Sequence, residues 1–110
     1  MRVVQTHRYL RDLRRLGASA SEIGRLEQTI ANHPEAGVLV PGLGGVRKLR
    51  FALGGKGKRG GGRATYFLMA SDDLAVMLFA YAKSDKEDMT PAEKKAALAL
   101  MKEIIDDQGR

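Results

Sequence analysis

A run of nine almost entirely apolar residues, "LAVMLFAYA" from Leu74 to Ala82, constrains the fold more than any other part of the chain. Such a run fits a central strand of a sheet that is covered on both faces. The stretch "RATYFLM" before it predicts a neighbouring strand. The short turn "SDD" between the two predicts that they form an antiparallel hairpin.

A third strand is predicted over "VRKLRF", residues 46–51. Side chains alternate along a strand, so Leu49 and Phe51 face one way and Lys48 and Arg50 face the other. One side of this strand therefore joins the core, and the other carries positive charge.

Three helices are predicted, each beginning after a residue that caps helical backbone: Thr6, Ser19 and Thr90. The second and third have a glutamate three residues later, which completes a capping box. A short strand is predicted in "RVVQT" at the start, and "EAGVLVPGLGG" is expected to be a connecting loop. The order β-α-α-β-β-β-α predicts an α+β fold in a single domain, residues 1–110. We expect a small antiparallel sheet with two N-terminal helices packed on one face and a C-terminal helix.

Charge is distributed unevenly along the chain. The formal net charge is +6, which suits a polyanionic partner, most often nucleic acid. Seven basic residues and no acid lie between Arg47 and Arg63. The chain has no cysteine, which excludes disulfides and zinc–cysteine sites. No apolar run approaches the length of a membrane span, and the first residues do not resemble a signal peptide, so a cytoplasmic protein with no membrane partner is expected.

The stretch "GGKGKRGGGR" contains a G-x-G-x-x-G pattern at Gly55, Gly57 and Gly60. A nucleotide-binding loop of that kind follows a strand and opens a helix, whereas a strand is predicted after this one. A flexible hairpin loop whose charges only keep it soluble is one alternative. We favour a loop that contacts an anion, with glycines that let the backbone approach phosphates closely.

The residues available for chemistry are mainly lysine, arginine and tyrosine. His7 and His33 are expected to cap helices or to lie in solvent. No cluster suggests a metal site, and no Ser-His-Asp arrangement is apparent. Cleavage of RNA by its own 2′-hydroxyl suits this inventory, since arginine binds phosphate bidentately and lysine moves protons if its pKa is lowered by neighbouring cations. Tyrosine can stack on a base or share a proton.

The motifs "GGVRKLRF", "GKGKRGGGRATYFL" and "LFAYAKSDKEDMTPAE" occur in an order and spacing that resemble the RelE/ParE superfamily of bacterial toxins, in its HigB-like branch. The resemblance covers roughly residues 2–105. It implies a metal-independent and cofactor-free endoribonuclease that cuts messenger RNA in the ribosomal A site. It also implies a cognate antitoxin, encoded alongside, that carries a helix-turn-helix domain.

The resemblance and the residues together assign a candidate site. The basic pair on the third predicted strand, Lys48 and Arg50, matches a pair that faces the substrate in RelE-like toxins. Arg63, expected to open its strand at the solvated edge after the loop, matches a phosphate-binding arginine, and Lys83 matches a basic residue after the last strand. The full predicted catalytic set is Lys48, Arg50, Arg63, Tyr81 and Lys83, and the predicted RNA-binding set is Arg47, Lys56, Lys58 and Arg59.

The sequence departs from the family pattern at two points. No aromatic residue follows Tyr81, so the C-terminal tyrosine of some members has no counterpart, and the glutamate–histidine pair of others is also unmatched. Two alternatives therefore stay open. One is a ParE-like gyrase inhibitor of the same fold, and the other is a non-catalytic RNA- or ribosome-binding protein.

Overall fold

A computed structural model of the chain describes residues 1–55, 61–69, 71, 73–85 and 89–108. These residues form three helices and one five-stranded sheet. In chain order the elements are β1 (Arg2–Gln5), α1 (His7–Leu16), α2 (Ala20–Asn32), β2 (Val38–Leu39), β3 (Arg47–Phe51), β4 (Gly62–Met69), β5 (Leu74–Ala82) and α3 (Pro91–Gln108).

The sheet has the strand order β1-β5-β4-β3-β2. Strands β3, β4 and β5 pair antiparallel, as predicted, and β5 lies inside the sheet with its residues almost all buried. The sheet as a whole is mixed rather than antiparallel, because β1 pairs parallel with β5 after the chain has crossed over through two helices. The α+β class predicted from the sequence is confirmed.

A two-residue strand, β2, lies inside the stretch expected to be only a loop. It pairs antiparallel with β3 at the edge of the sheet, through Val38 opposite Lys48 and Leu39 opposite Arg47. Both β2 side chains are exposed. A strand this short has no room for an alternating pattern, so its sequence does not distinguish it from a loop.

The two faces of the sheet are covered by different helices. On one face, residues of α1 and α2 such as Tyr9 and Ile30 form a buried cluster with Tyr66 and Met77 of the sheet. On the other face, Ala97 of α3 belongs to a second cluster with several β4 and β5 side chains. Within the described part of the chain, no helix is long and apolar enough to cross a membrane.

The helix ends follow the predicted capping residues. Thr6 accepts a hydrogen bond from the Tyr9 amide at the start of α1. The Ser19 capping box of α2 is complete, with both reciprocal bonds formed. Before α3, the Thr90 amide donates to Glu93 at 2.8 Å, and the Glu93 amide donates back to the Thr90 hydroxyl at 3.2 Å. All three predicted caps are confirmed.

Where β1 ends, side chains of α1 and of its capping residue form the hydrogen bonds to β5 that a neighbouring strand would otherwise form. The β1 pairing stops at Met77, yet β5 continues to Ala82. The Asp12 carboxylate, 1% exposed, accepts a hydrogen bond from the Ala80 amide at 3.1 Å, and the Thr6 hydroxyl donates to the Met77 carbonyl at 2.7 Å. Buried backbone groups need such partners, so these bonds hold α1 against the C-terminal half of β5.

Close packing against Phe51 of β3 requires a glycine at position 62, the first residue of β4. A Cβ atom at Gly62 would lie 2.5 Å from the aromatic ring of Phe51. We expect Gly62→Ala to lower the free energy of unfolding by about 1–3 kcal/mol, because overpacking forces side chains and backbone to shift. Urea unfolding measures the change.

Gly24 provides the matched control for that substitution. It lies in α2, and a Cβ atom there would meet nothing within 4 Å. Gly24→Ala should stabilise the protein by about 0.5–1 kcal/mol, because alanine favours helix more than glycine does. Equal effects of the two alanines would contradict the proposed role of the Phe51 ring.

Candidate nucleic-acid interface

Three of the predicted site residues lie in one row across the sheet. Arg50 of β3 is opposite Arg63 of β4, and Arg63 is opposite Tyr81 of β5. Directly opposite residues of antiparallel strands project from the same face, with Cβ atoms about 4.5–5.5 Å apart. Two arginines and a tyrosine from three strands are therefore brought together, although they are far apart in the sequence.

A second row lies two residues along the same strands. It pairs Lys48 of β3 with Thr65 of β4, and Thr65 with Phe79 of β5. Because side chains alternate with a period of two, this row shares its face with Arg50 and Arg63. Lys48 thus joins the group.

Lys83 follows directly after the end of β5, two residues along the chain from Tyr81. Its amide donates to the Gly61 carbonyl at 3.0 Å, which continues the β4–β5 ladder one step past the pairing of Gly62 with Ala82. By alternation, Lys83 belongs to the same face as Tyr81, and its side chain is half-buried. All five predicted catalytic residues are therefore found on one face of the sheet. We call these residues, Lys48, Arg50, Arg63, Tyr81 and Lys83, the basic face.

Arg63 differs from its expected position. It was expected to open its strand at a solvated edge, but it is the second residue of β4 and is only 4% exposed. One guanidinium nitrogen donates to the Gly62 carbonyl at 3.0 Å. Sequence alternation shows which face a residue lies on, but not how deeply it is buried. Because Arg63 is buried, its contact with a phosphate requires the groups that cover it to move.

Tyr81 is also less accessible than stacking on a base would need. It is 5% exposed and belongs to the buried cluster on the α3 side of the sheet, together with Phe79 and Met89. In this conformation the ring is packed in that cluster, on the same side of the sheet as the other residues of the basic face.

Arg47 lies on the opposite face of the sheet from the basic face. It pairs with Tyr66, and its guanidinium donates to the Gly37 carbonyl at 2.8 Å. The Tyr66 hydroxyl in turn donates to the Pro34 carbonyl at 2.8 Å and accepts from the Gly37 amide at 2.9 Å. Burial raises the pKa of Tyr66. Arg47 thus holds the segment before β2, and we leave it out of the proposed RNA-binding set.

The glycine-rich loop is described only at its two ends. Lys56, Lys58 and Arg59 lie outside the described residues. At its start, Gly54 and Gly55 have φ values of 63° and 77°, which glycine adopts without strain.

Glu22 holds the start of this loop on α2. The Gly55 amide donates to Glu22 Oε2 at 3.4 Å, while Oε1 of the same carboxylate accepts the Ser19 amide in the capping box. Hydrogen bonds to backbone amides, that of Ser19 first, lower the pKa of Glu22. The carboxylate that caps α2 therefore also fixes the point from which the loop leaves β3.

Sequence reasoning missed two residues beside the basic face. Thr65 is fully buried between Lys48 and Phe79, and its hydroxyl has no hydrogen-bond partner among the described residues. Arg8 of α1 reaches the Phe79 ring, with its guanidinium carbon 4.6 Å from the ring centre. Alternation from Arg63 would have found Thr65, but nothing in the sequence places Arg8 near β5.

The histidines and acids do not form a metal site where the structure describes them. His7 begins α1, His33 caps the end of α2, and both are exposed. In the described ranges, no group of three or more histidine, aspartate or glutamate side chains is placed to hold a metal ion.

Comparison with known proteins agrees with this fold. Residues 1–109 match the family described as the RelE toxin of the RelE/RelB toxin–antitoxin system. The crystal structure of the isolated E. coli RelE toxin superimposes with a TM-score of 0.55 and 12% sequence identity, covering 90% of this chain and 97% of that one. At that identity the superposition shows the fold alone, whereas the family match spans nearly the whole chain. The chain belongs to the RelE family of toxins from toxin–antitoxin systems.

Proposed function

We propose that this protein is an endoribonuclease that cuts messenger RNA on the ribosome. The observation that supports it most is the row Arg50–Arg63–Tyr81, flanked by Lys48 and Lys83 on one face of the sheet. Cations that bind phosphate, together with groups that can move protons, suit cleavage of RNA by its own 2′-hydroxyl.

In the proposed reaction, the 2′-oxygen attacks the adjacent phosphorus and the bond from phosphorus to the 5′-oxygen breaks. The products are a 2′,3′-cyclic phosphate and a free 5′-hydroxyl. One proton leaves the 2′-hydroxyl and one is delivered to the 5′-oxygen, so the step needs no oxidant and no external nucleophile. A protein that promotes it has to bind the phosphate, stabilise the added negative charge and move the two protons.

The residues of the basic face are assigned by their chemistry. Arg63 and Arg50, directly opposite each other, bind the non-bridging phosphate oxygens, because a guanidinium stays charged and donates in a planar fork. Lys48 and Lys83 lie in different rows, and we assign the two proton transfers to them. Burial of Arg63 strengthens its attraction to a phosphate that reaches it, because the local dielectric constant is lower than that of water.

The proposed partners follow from the same face. The ribosome and its messenger RNA supply phosphates, and we propose that the loop residues Lys56, Lys58 and Arg59 grip that backbone. A cognate antitoxin, which we propose carries a helix-turn-helix domain of the HigA type, would neutralise the toxin by placing acidic residues over Lys48 and Arg50.

Controlled expression in bacterial cells tests the proposed function. Wild-type protein should arrest growth with protein synthesis falling first, and the double variant Lys48→Gln/Arg50→Gln should not. Induction of the DNA-damage response before any loss of translation would instead indicate a gyrase inhibitor. Expression without growth arrest would indicate an RNA-binding protein that does no chemistry.

A further inference from the structure

Helix α1 carries a concentration of arginine that the basic face does not explain. Its ten residues, "HRYLRDLRRL", contain four arginines and a single acid, Asp12. At 3.6 residues per turn, the four arginines fall within an arc of about 120° on one side of the helix. Tyr9 and Leu13 lie on the other side and are buried against the sheet. The arginine side of α1 therefore faces away from the core.

The charge on this arc is only partly neutralised. Arg8 and Arg15 both contact the same oxygen of Asp12, at 3.2 and 3.1 Å, so one carboxylate serves two cations. Arg11 and Arg14 are exposed, and the described residues offer them no ion pair. Helix α1 keeps a net charge of +3 after Asp12 is counted. Mutual repulsion disfavours such an arc unless an anion binds there.

Arg8 connects this arc to the basic face. Its guanidinium lies over the ring of Phe79, which is in the same row as Thr65 and Lys48. Neighbouring strands are about 4.8 Å apart, so Arg8 stands within a few strand spacings of Lys48. Arg8 can reach Phe79 because β1 ends at Gln5, which leaves the part of β5 after Met77 next to α1.

We infer that Arg8, Arg11, Arg14 and Arg15 form a second surface that binds RNA backbone phosphates, continuous with the basic face; the continuity rests on the proposed function. Positive charge without apolar surface distinguishes RNA from a protein partner, because protein interfaces have apolar centres and nucleic-acid interfaces are polar and strongly basic. The exposed large apolar side chains of the described residues, Val38, Leu39, Leu98 and Ile105, all lie outside α1. The RNA is thus bound both by the arginine arc of α1 and by the basic face, which meet at the part of β5 that β1 does not cover.

The test compares two double variants that remove the same charge. Arg11→Gln/Arg14→Gln neutralises the two arginines that form no ion pair with a described residue, and both are exposed, so folding should be unaffected. Lys95→Gln/Lys102→Gln is the matched control, because both lysines are exposed on α3 and belong neither to the arginine arc of α1 nor to the basic face. Binding to purified 70S ribosomes without messenger RNA is measured as a function of salt concentration.

The arginine variant should flatten the log–log salt dependence of binding by about 1.4–1.8 and weaken affinity at 0.1 M salt by about 25- to 60-fold, since each phosphate contact contributes about 0.7–0.9 to the slope. The lysine variant should bind close to wild type. Equal losses in both variants would overturn the inference, because the effect would then be one of net charge alone. Unchanged ribosome binding would also overturn it, and if binding to poly-glutamate fell in the same variant, the arc would be a protein site.

This result is independent of cleavage, since no messenger RNA is present. A wild-type protein that binds through α1 but never cuts messenger RNA would contradict the proposed function and leave this inference intact. Conversely, if the wild-type protein cuts messenger RNA but the arginine variant binds ribosomes like wild type, this inference is contradicted and the proposed function stands.

Discussion

Arg63→Lys should abolish growth arrest on expression and slow single-turnover cleavage by about 10²–10³, the usual effect of removing one preorganised transition-state contact. Lysine keeps the charge but loses the planar fork that binds two phosphate oxygens at once. Arg63 is buried, donates to the Gly62 carbonyl and lies between Arg50 and Tyr81, so its guanidinium is held in one orientation. The measurement is cleavage of ribosome-bound messenger RNA by saturating enzyme.

Arg63→Lys is preferred to Arg63→Ala because this side chain is buried. Arg63→Ala would leave a cavity beneath the basic face, and loss of activity could then follow from unfolding. Thermal unfolding of both variants separates these causes. A folded Arg63→Lys protein that cuts as fast as wild type would remove Arg63 from the site.

Lys83→Ala should bind ribosomes almost normally and lose about 10²–10⁴ in single-turnover rate, the range that general acid–base catalysis contributes. Lys83 stands one step beyond the β4–β5 pairing and is half-buried, so it is fixed by the ladder yet close to solvent. Ribosome binding and the single-turnover rate are measured on the same preparation.

The Lys83→Arg variant distinguishes proton transfer by Lys83 from electrostatic attraction to the RNA alone. Arginine keeps the positive charge but does not give up its proton in proteins. If Lys83 moves a proton, the arginine variant should be about as slow as the alanine variant. Full activity with arginine would contradict that role, and unchanged activity in Lys83→Ala would remove the residue from the site. Lys95→Ala on α3 is the matched control and should leave the rate unchanged.

Local patterns in the sequence predicted most of the elements. The alternation of Lys48 and Arg50 with Leu49 and Phe51, and the apolar run of β5, each depend on residues close together in the chain. The parallel pairing of β1 with β5 depends on residues more than seventy positions apart, so no local pattern records it.

The surroundings of the candidate residues were harder to predict than the strands that carry them. Arg47 has the same charge as the other basic residues, but alternation along β3 places it on the same side as Leu49. The burial of Arg63 and Tyr81 depends on what covers the sheet, which a strand's own sequence does not state. Arg8 joins the site because β1 is short and α1 begins immediately after it, a consequence of packing alone.

The central claim is that the basic face promotes attack by the 2′-hydroxyl of the RNA itself. One measurement tests it directly: cleavage of a ribosome-bound messenger RNA with a single 2′-deoxy nucleotide at the cut site, followed by analysis of the product ends. The account predicts no cut at the deoxy position, and a 2′,3′-cyclic phosphate with a 5′-hydroxyl at that site in the unmodified RNA. Continued cutting at the deoxy position, with a 5′-phosphate on the product, would show that water is the nucleophile and would contradict the account.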